Sequence, residues 1–170
     1  MVRLLELVEK LKHTPVSLGD LRKIIPSECK AVELKDLKNK HRSDIFKGNQ
    51  GMIVRLPSNL SKIGHFICLI PRKHHIEIFS SLGHSPAQET KRLGNDQTLM
   101  NIIGKNYVYN RTPLQSGKFN IQTCGMWVVT RLFLRDLKLR EFQTLFSRTL
   151  SLQSPDDIVS VMMLLLFSDV

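Results

Sequence analysis

A chain of 170 residues with 42% apolar and 24% charged side chains has enough length and apolar content to bury a core, so it reads as a single domain over 1–170. Its longest apolar run, IVSVMMLLLF near the end, is far short of a membrane span, and three widely spaced cysteines (Cys29, Cys68, Cys124) exclude a disulfide scaffold and suggest a reducing, intracellular setting. The net charge of +10 is uneven: residues 1–64 carry 13 Lys/Arg against 7 Asp/Glu, whereas residues 124–170 balance, so the basic surplus precedes Cys124 and could attract nucleic acid or an acidic partner.

Taken in chain order, Val2, Leu4, Leu5, Val8 and Leu11 have helical spacing over 2–12, and the charges among them argue against a secretory signal. Ser17 caps a short helix over LGDLRKII that Pro26 ends. The segment from Glu28 to Gln50 offers no clear period and is expected to be irregular and exposed. A β section follows: GMIVRL (51–56) as a strand, 57–64 as a loop, HFICLI (65–70) as a buried strand, and HIEIFSS (75–81) returning beside it. Ser85 and Pro86 open a helix, DQTLMNIIG reads as another, NYVYN (106–110) as a strand, and 111–122 as a long connection. Thr123 opens an apolar helix from which Arg131 and Arg135, four apart, would project as one exposed stripe. LREFQTLFSR and a helix starting at Ser154-Pro155 complete an α+β chain with a small, mostly antiparallel sheet. In a reducing compartment the triplets at Asn59 and Asn110 carry no glycosylation meaning.

Cys124, set before Gly125 where a polar run becomes apolar, is either a small buried hydrophobe or a thiol at a helix start, where helix polarity favours its anion. Thiol catalysis also needs a base and oxyanion donors. With Thr123 as N-cap, the backbone N–H groups of Cys124 and Gly125 could supply donors, glycine allowing a carbonyl close approach. His65 begins a buried strand in which it shares a face with Ile67 and Leu69, while Cys68 points the other way with Phe66 and Ile70 and reads as core. His74 and His75 fall at a hairpin tip, and His84 lies in the loop after the second strand, where it could hydrogen-bond in a cleft. No paired Cys or His spacing links His65, Cys68, His84 and Cys124, so no metal is expected, nor any other cofactor.

The combination GHFICLI, HHIEIFSSLG, YNRTPLQ and QTCGMWVVTRL, with GMIVRL before it and SPDDIVSVMMLLL after it, resembles the adenain-type and SUMO-protease-type cysteine peptidases. The likeness is greatest to the versions encoded by adenovirus-like DNA viruses and Polinton/Maverick transposons. It spans residues 51–170; residues 1–50 are only loosely similar. The resemblance implies a papain-like fold with the histidine before the cysteine in the chain. It implies His65 as base, Cys124 as nucleophile and Gly125 as the glycine after it. An oxyanion glutamine is expected at Gln115, nine residues before the cysteine, with Gln122 as the alternative, because Gly117 and Lys118 occupy the usual places. Phe66 stands where the family has Trp. Ser80, in Phe79-Ser80-Ser81, takes the position of the orienting acid; a serine can fix the imidazole tautomer but supplies no charge, and Glu77 faces away from it in a regular strand.

The function implied is a monomeric cysteine endopeptidase acting on viral or element-encoded precursors or on ubiquitin-like conjugates, within a cell, in the host nucleus or in the virion. The alternative is a catalytically degenerate module of the same fold that binds a protein partner or DNA, which the missing acid and the basic charge both favour.

Overall fold

Strand residues that are apolar on both faces require a layer on each side of the sheet. The structure, a computed structural model, describes residues 2–57, 64–118, 120–147 and 154–167, and it has those layers. Strands β1 (Cys29–Glu33), β2 (Gly51–Leu56), β3 (His65–Pro71), β4 (Ile76–Ser80) and β5 (Tyr107–Tyr109) lie side by side in chain order. β2, β3 and β4 are antiparallel, whereas β1 runs parallel to β2 and β5 parallel to β4. The sheet is therefore mixed rather than mostly antiparallel. The chain enters and leaves the central meander through crossovers, and a crossover delivers its strand in the parallel sense.

Among the described residues there are eight α-helices: α1 (Val2–Lys12), α2 (Leu18–Ile24), α3 (Arg42–Phe46), α4 (Pro86–Arg92), α5 (Thr98–Ile103), α6 (Cys124–Phe133), α7 (Leu139–Ser147) and α8 (Pro155–Phe167). Their starts follow the capping chemistry of the sequence. Ser17 and Asp20 form a reciprocal capping box, as do Ser85 and Gln88 with Pro86 at the first helical position. Ser154 and Asp157 make the same exchange at α8. No helix among the described residues is long and apolar enough to cross a membrane.

The segment 28–50 departs from the irregular, exposed chain expected of it. It forms β1, a 3-10 turn (Leu34–Leu37) and α3, and it buries Cys29, Ala31, Leu34, Leu37 and Ile45. Its apolar residues are too few per element to show a period, and the parallel pairing of β1 with β2 supplies the order. Residues 58–63 of the expected loop, including the triplet at Asn59, lie outside the described residues. Asn110 is fully buried and bonded to the Ser80 backbone through both ends of its amide.

One face of the sheet (Ile53, Phe66, Cys68, Ile70, Phe79) packs on α2, α6, α7 and α8. The other (Met52, Val54, Leu56, Ile67, Leu69, Ile76, Ile78) packs on the 3-10 turn, α3 and α5. The central element is α6, buried continuously from Gly125 to Leu132. Arg131 consequently belongs to no exposed stripe. Its guanidinium is fully buried, donates to Glu77 Oε1 at 2.6 and 2.8 Å and to the carbonyls of Leu134 and Leu137, and lies 4.9 Å from the Phe142 ring centroid. Glu77, facing away from Ser80 as a regular strand requires, also accepts from Arg72 at 3.0 Å. Arg135 is half-buried and reaches Glu28 and Gln50. Removing one partner from such a pair strands a buried charge, whereas replacing both by apolar groups does not. Glu77→Ala should lower the unfolding free energy by about 3–5 kcal/mol in urea titrations, and Glu77→Leu combined with Arg131→Met should recover part of that loss, because Arg72 still lacks its carboxylate and the Leu134 carbonyl its donor.

Candidate active site

His65 occupies the first position of β3, at the rim of the sheet, and Ser80 the last position of β4. Their antiparallel register brings Ser80 opposite Ile67, two residues along from His65 on the same face. His65 Nε2 lies 3.0 Å from Ser80 Oγ, and that hydroxyl donates to Glu89 Oε1 at 3.1 Å. A hydroxyl has one proton; because Ser80 gives it to Glu89, its oxygen must accept from His65 Nε2–H. The tautomer is thereby fixed and Nδ1 is left as the basic nitrogen. Glu89 Oε1 is itself 3.5 Å from His65 Nε2, and its side chain is only 3% exposed. His84 Nδ1 lies 3.1 Å from the same carboxylate oxygen and 2.8 Å from Arg92 Nη1, so the loop histidine does enter the cluster. Asn110 pins Ser80 by accepting from its N–H (2.8 Å) and donating to its carbonyl (2.6 Å).

Ser80 thus occupies the place anticipated for an orienting group, and a carboxylate stands behind it. Glu89 comes from α4, the helix that Ser85 and Pro86 announce in the sequence, but no role is read there for Glu89 itself. Nothing in SPAQET marks Glu89 as buried: the capping box accounts for Ser85 and Gln88, and a single acid in a helical first turn is ordinary.

Cys124 is the first residue of α6 and is partly buried. Its sulfur lies against the backbone N–H groups of Phe66, Gly125 and its own residue, which puts the thiol beside the residue that follows His65. Gly125 is buried; a Cβ on it would stand 3.2 Å from Val16 Cβ and 3.6 Å from Phe66 Cδ2. Val16 and Phe66, which pack against Gly125, also line an open cavity of about 370 Å³ with Pro15, Ser17, Leu18, Glu33 and Arg55. Thr123 stands at the N-cap position of α6 as expected, but its side chain makes no capping hydrogen bond; its buried hydroxyl donates instead to Asp156 Oδ1 at 2.5 Å. Asp156 also accepts from Trp127 Nε1 (2.9 Å) and from the N–H of Ser116 (2.8 Å). Nothing in the sequence marks it: in Ser154-Pro155-Asp156-Asp157 the capping box uses Asp157, and a second acid in a helical first turn is ordinary.

Gln115 is buried and immobilised. Ser81 Oγ donates to its Oε1 at 2.7 Å, its Nε2 donates to Ile121 O at 3.0 Å, and its N–H bonds Ser81 O. Gln122 is half-buried, held by its N–H to Lys12 O at 2.7 Å, and its Oε1 is buried with no hydrogen-bond partner among the described residues. Cys68 is core, as expected, and burial pushes its thiol far up. His74 is exposed at the β3–β4 turn and His75 half-buried. No three His, Cys, Asp or Glu side chains among the described residues converge as metal ligands.

The electrostatics set the resting protonation. Burial lowers His65 to about 4, outweighing the field of Glu89 that pulls upward. Burial also raises the Cys124 thiol, against the three N–H groups that favour its anion. The resting thiolate expected from helix polarity is therefore corrected to a neutral thiol, and the His65 imidazole is neutral as well near pH 7. Burial would raise Glu89 too, but the His84 hydrogen bond and nearby positive charge hold it below its ordinary value. With His65 neutral near pH 7, the His84 bond and Arg92 keep that carboxylate ionised.

No family model matches the chain. The chain is similar to the protein named "Uncharacterized protein V9" of Sputnik virophage, 27% identical over 158 residues, covering 84% of this chain and 90% of that protein.

The lowered His65 value has a thermodynamic sign. Between pH 6.5 and about 4 the unfolded chain binds a proton at this position that the folded protein does not, so stability contributed at neutral pH is lost as pH falls through that window. Urea unfolding at pH 7.5 and 4.5 should show an acid-side loss larger by roughly 2–3 kcal/mol in the native protein than in His65→Gln. Equal losses in the two proteins would mean that His65 is not desolvated.

Proposed function

We propose that the protein is a thiol endopeptidase of papain-like, adenain-type architecture. The observation that carries this reading is the chain from His65 through Ser80 to Glu89: it leaves Nδ1 basic and a carboxylate behind the ring, at the strand end whose next N–H touches the Cys124 sulfur. Ser80 sets the tautomer, and Glu89 supplies the charge that Ser80 lacks.

As the Cys124 sulfur bonds to the substrate carbonyl carbon, its proton passes to His65 Nδ1, and Glu89 stabilises the imidazolium. The negative charge on the carbonyl oxygen is met by the backbone N–H of Cys124 and by Gln115, whose Nε2 has a second proton besides the one given to Ile121 O. Collapse expels the amine, which takes the proton from His65, and water hydrolyses the thioester to restore the thiol. A neutral resting pair makes the proton transfer part of the attack, so the thiol acts chiefly on a positioned carbonyl.

Likeness to a virophage protein accords with precursor proteins of a virus or mobile element as substrates, and with the virion or host nucleus as the place of action; ubiquitin-like conjugates are the second substrate class. The degenerate-module reading drew on the missing acid, a ground that Glu89 removes, and keeps only the basic surplus in its favour.

The test is cleavage of a proteome-derived peptide library, read as new N-termini by mass spectrometry. The native protein should produce termini that Cys124→Ala and His65→Ala do not, and on any cleaved peptide Glu89→Gln should lower kcat at least about tenfold with KM little changed. Absence of cleavage, with Cys124 alkylated no faster than Cys29, would hand the site to the binding-module reading.

A further inference from the structure

Asp156 is the second residue of α8 and is 2% exposed. No Lys or Arg among the described residues pairs with it, so the buried carboxylate is satisfied by hydrogen-bond donors alone. Its oxygens divide their partners by location. Oδ1 takes the Thr123 hydroxyl and the Trp127 indole N–H, both from the N-terminal turn of α6 and its approach. Oδ2 takes the backbone N–H of Ser116, the residue after Gln115. The neighbouring Asp157 serves the surface instead, with Ser154 and Lys12.

One rigid group therefore ties the residue before Cys124 to the residue after Gln115. Those two backbones are the mounts of the nucleophile and of the amide assigned to the oxyanion, and the described residues between them, 117–118 and 120–122, belong to no strand or helix. Ser81 and Ile121 hold Gln115 itself, while Asp156 fixes the backbone that follows it against the start of α6, and oxyanion stabilisation depends on donors being in place before charge develops.

We propose that Asp156 is a positioning residue, holding the Gln115 loop at a fixed distance from the start of α6 so that the oxyanion donors stand ready beside the Cys124 thiol. This rests on the thiol-peptidase reading. It assigns Asp156 no contact with substrate.

The bonding pattern suggests a selective lesion. In Asp156→Asn the amide oxygen can still accept from Thr123 and Trp127, but the NH2 group faces the Ser116 N–H, donor against donor. Asp156→Glu keeps the charge and folding chemistry while lengthening the arm by one methylene. Two probes separate thiol reactivity from oxyanion support. Iodoacetamide alkylates Cys124 by displacement at a saturated carbon and needs no oxyanion donor; p-nitrophenyl acetate acylates it through a tetrahedral oxyanion and releases p-nitrophenolate.

In the full chain, both variants should alkylate at Cys124 within about twofold of the native rate, while acylation falls at least about tenfold, a fraction of what loss of a whole oxyanion donor costs. Introducing Asp156→Asn into Gln115→Ala should then lower acylation little further, because the two changes act on one group. Thr123→Val, which cuts one of the two contacts at the α6 end of the same tie, should lower the ratio of acylation to alkylation in the same direction but by less, because the Trp127 N–H still holds Asp156. Native acylation in both Asp156 variants overturns the proposal, and so does a parallel loss of both reactions or failure of both variants to fold, either of which assigns Asp156 to the core alone. If the native protein shows no Cys124-dependent acylation at all, the peptidase reading falls and takes this role with it.

Discussion

A helix with no solvent face can be buried only if every polar group it carries is met inside the protein, and α6 imposes that requirement on the rest of this chain. At its C-terminal end Arg131 needs a carboxylate and carbonyls, so β4 presents Glu77 and the α6–α7 connection turns its Leu134 and Leu137 carbonyls inward. At its N-terminal end Thr123 and Trp127 need an acceptor, and α8 supplies Asp156. Trp127 and Phe146 close the apolar gap between them at 4.9 Å. The helix is thus fixed at both ends by buried acids from different elements. Its first residue, Cys124, is held against the Phe66 N–H as a consequence of packing that has nothing to do with chemistry at sulfur.

Three carboxylates (Glu77, Glu89, Asp156) are buried, and each is satisfied in a different way. Glu77 has two guanidinium groups, Glu89 has a hydroxyl and an imidazole, and Asp156 has only neutral donors. The environment decides what each can do. A carboxylate saturated by arginines is a structural fixture, while one bonded through a serine to a titratable ring can respond when that ring gains a proton. Glu89 is the only one of the three beside His65, and burial keeps that ring neutral at rest. The proposed chemistry follows from this setting: the charge that would stabilise the imidazolium is already in place, yet solvent cannot protonate the ring near neutral pH.

The central strands, the caps at Ser17, Ser85 and Ser154, and the alternation separating Ile67 from Phe66 could be read from the sequence because each depends on neighbours a few residues away. The parts that escaped depend on distant partners. β1 is an edge strand of five residues whose order comes from parallel pairing with β2, beyond the reach of any local period. Arg131 looks like a surface residue beside Arg135 until Glu77, 54 positions earlier, is known to face it. Glu89 and Asp156 are acids in helical first turns, where sequence alone suggests a contribution to capping or to the helix dipole. Only the tertiary fold turns them inward.

Placing the acid on α4 rather than on β4 separates two duties that one aspartate would combine. Ser80, pinned through its backbone by Asn110, has a short side chain with few rotamers and orients the imidazole. Glu89 stands 3.5 Å from the ring nitrogen and receives the Ser80 proton, so its charge is felt without its having to accept the imidazole N–H directly. The cost is a longer path from charge to ring, and α4 must be held in register with the sheet. The buried Thr90 and Glu89 on the inner side of α4, with its capping box at Ser85, meet that demand locally. His84 Nδ1 lies 3.1 Å from the same carboxylate oxygen and 2.8 Å from the guanidinium of Arg92, the last residue of α4, so positive charge stands close to the acid. The Arg92 charge keeps Glu89 ionised but opposes a proton on His65, whereas the Glu89 charge favours one, so the two charged groups of α4 pull the ring in opposite directions.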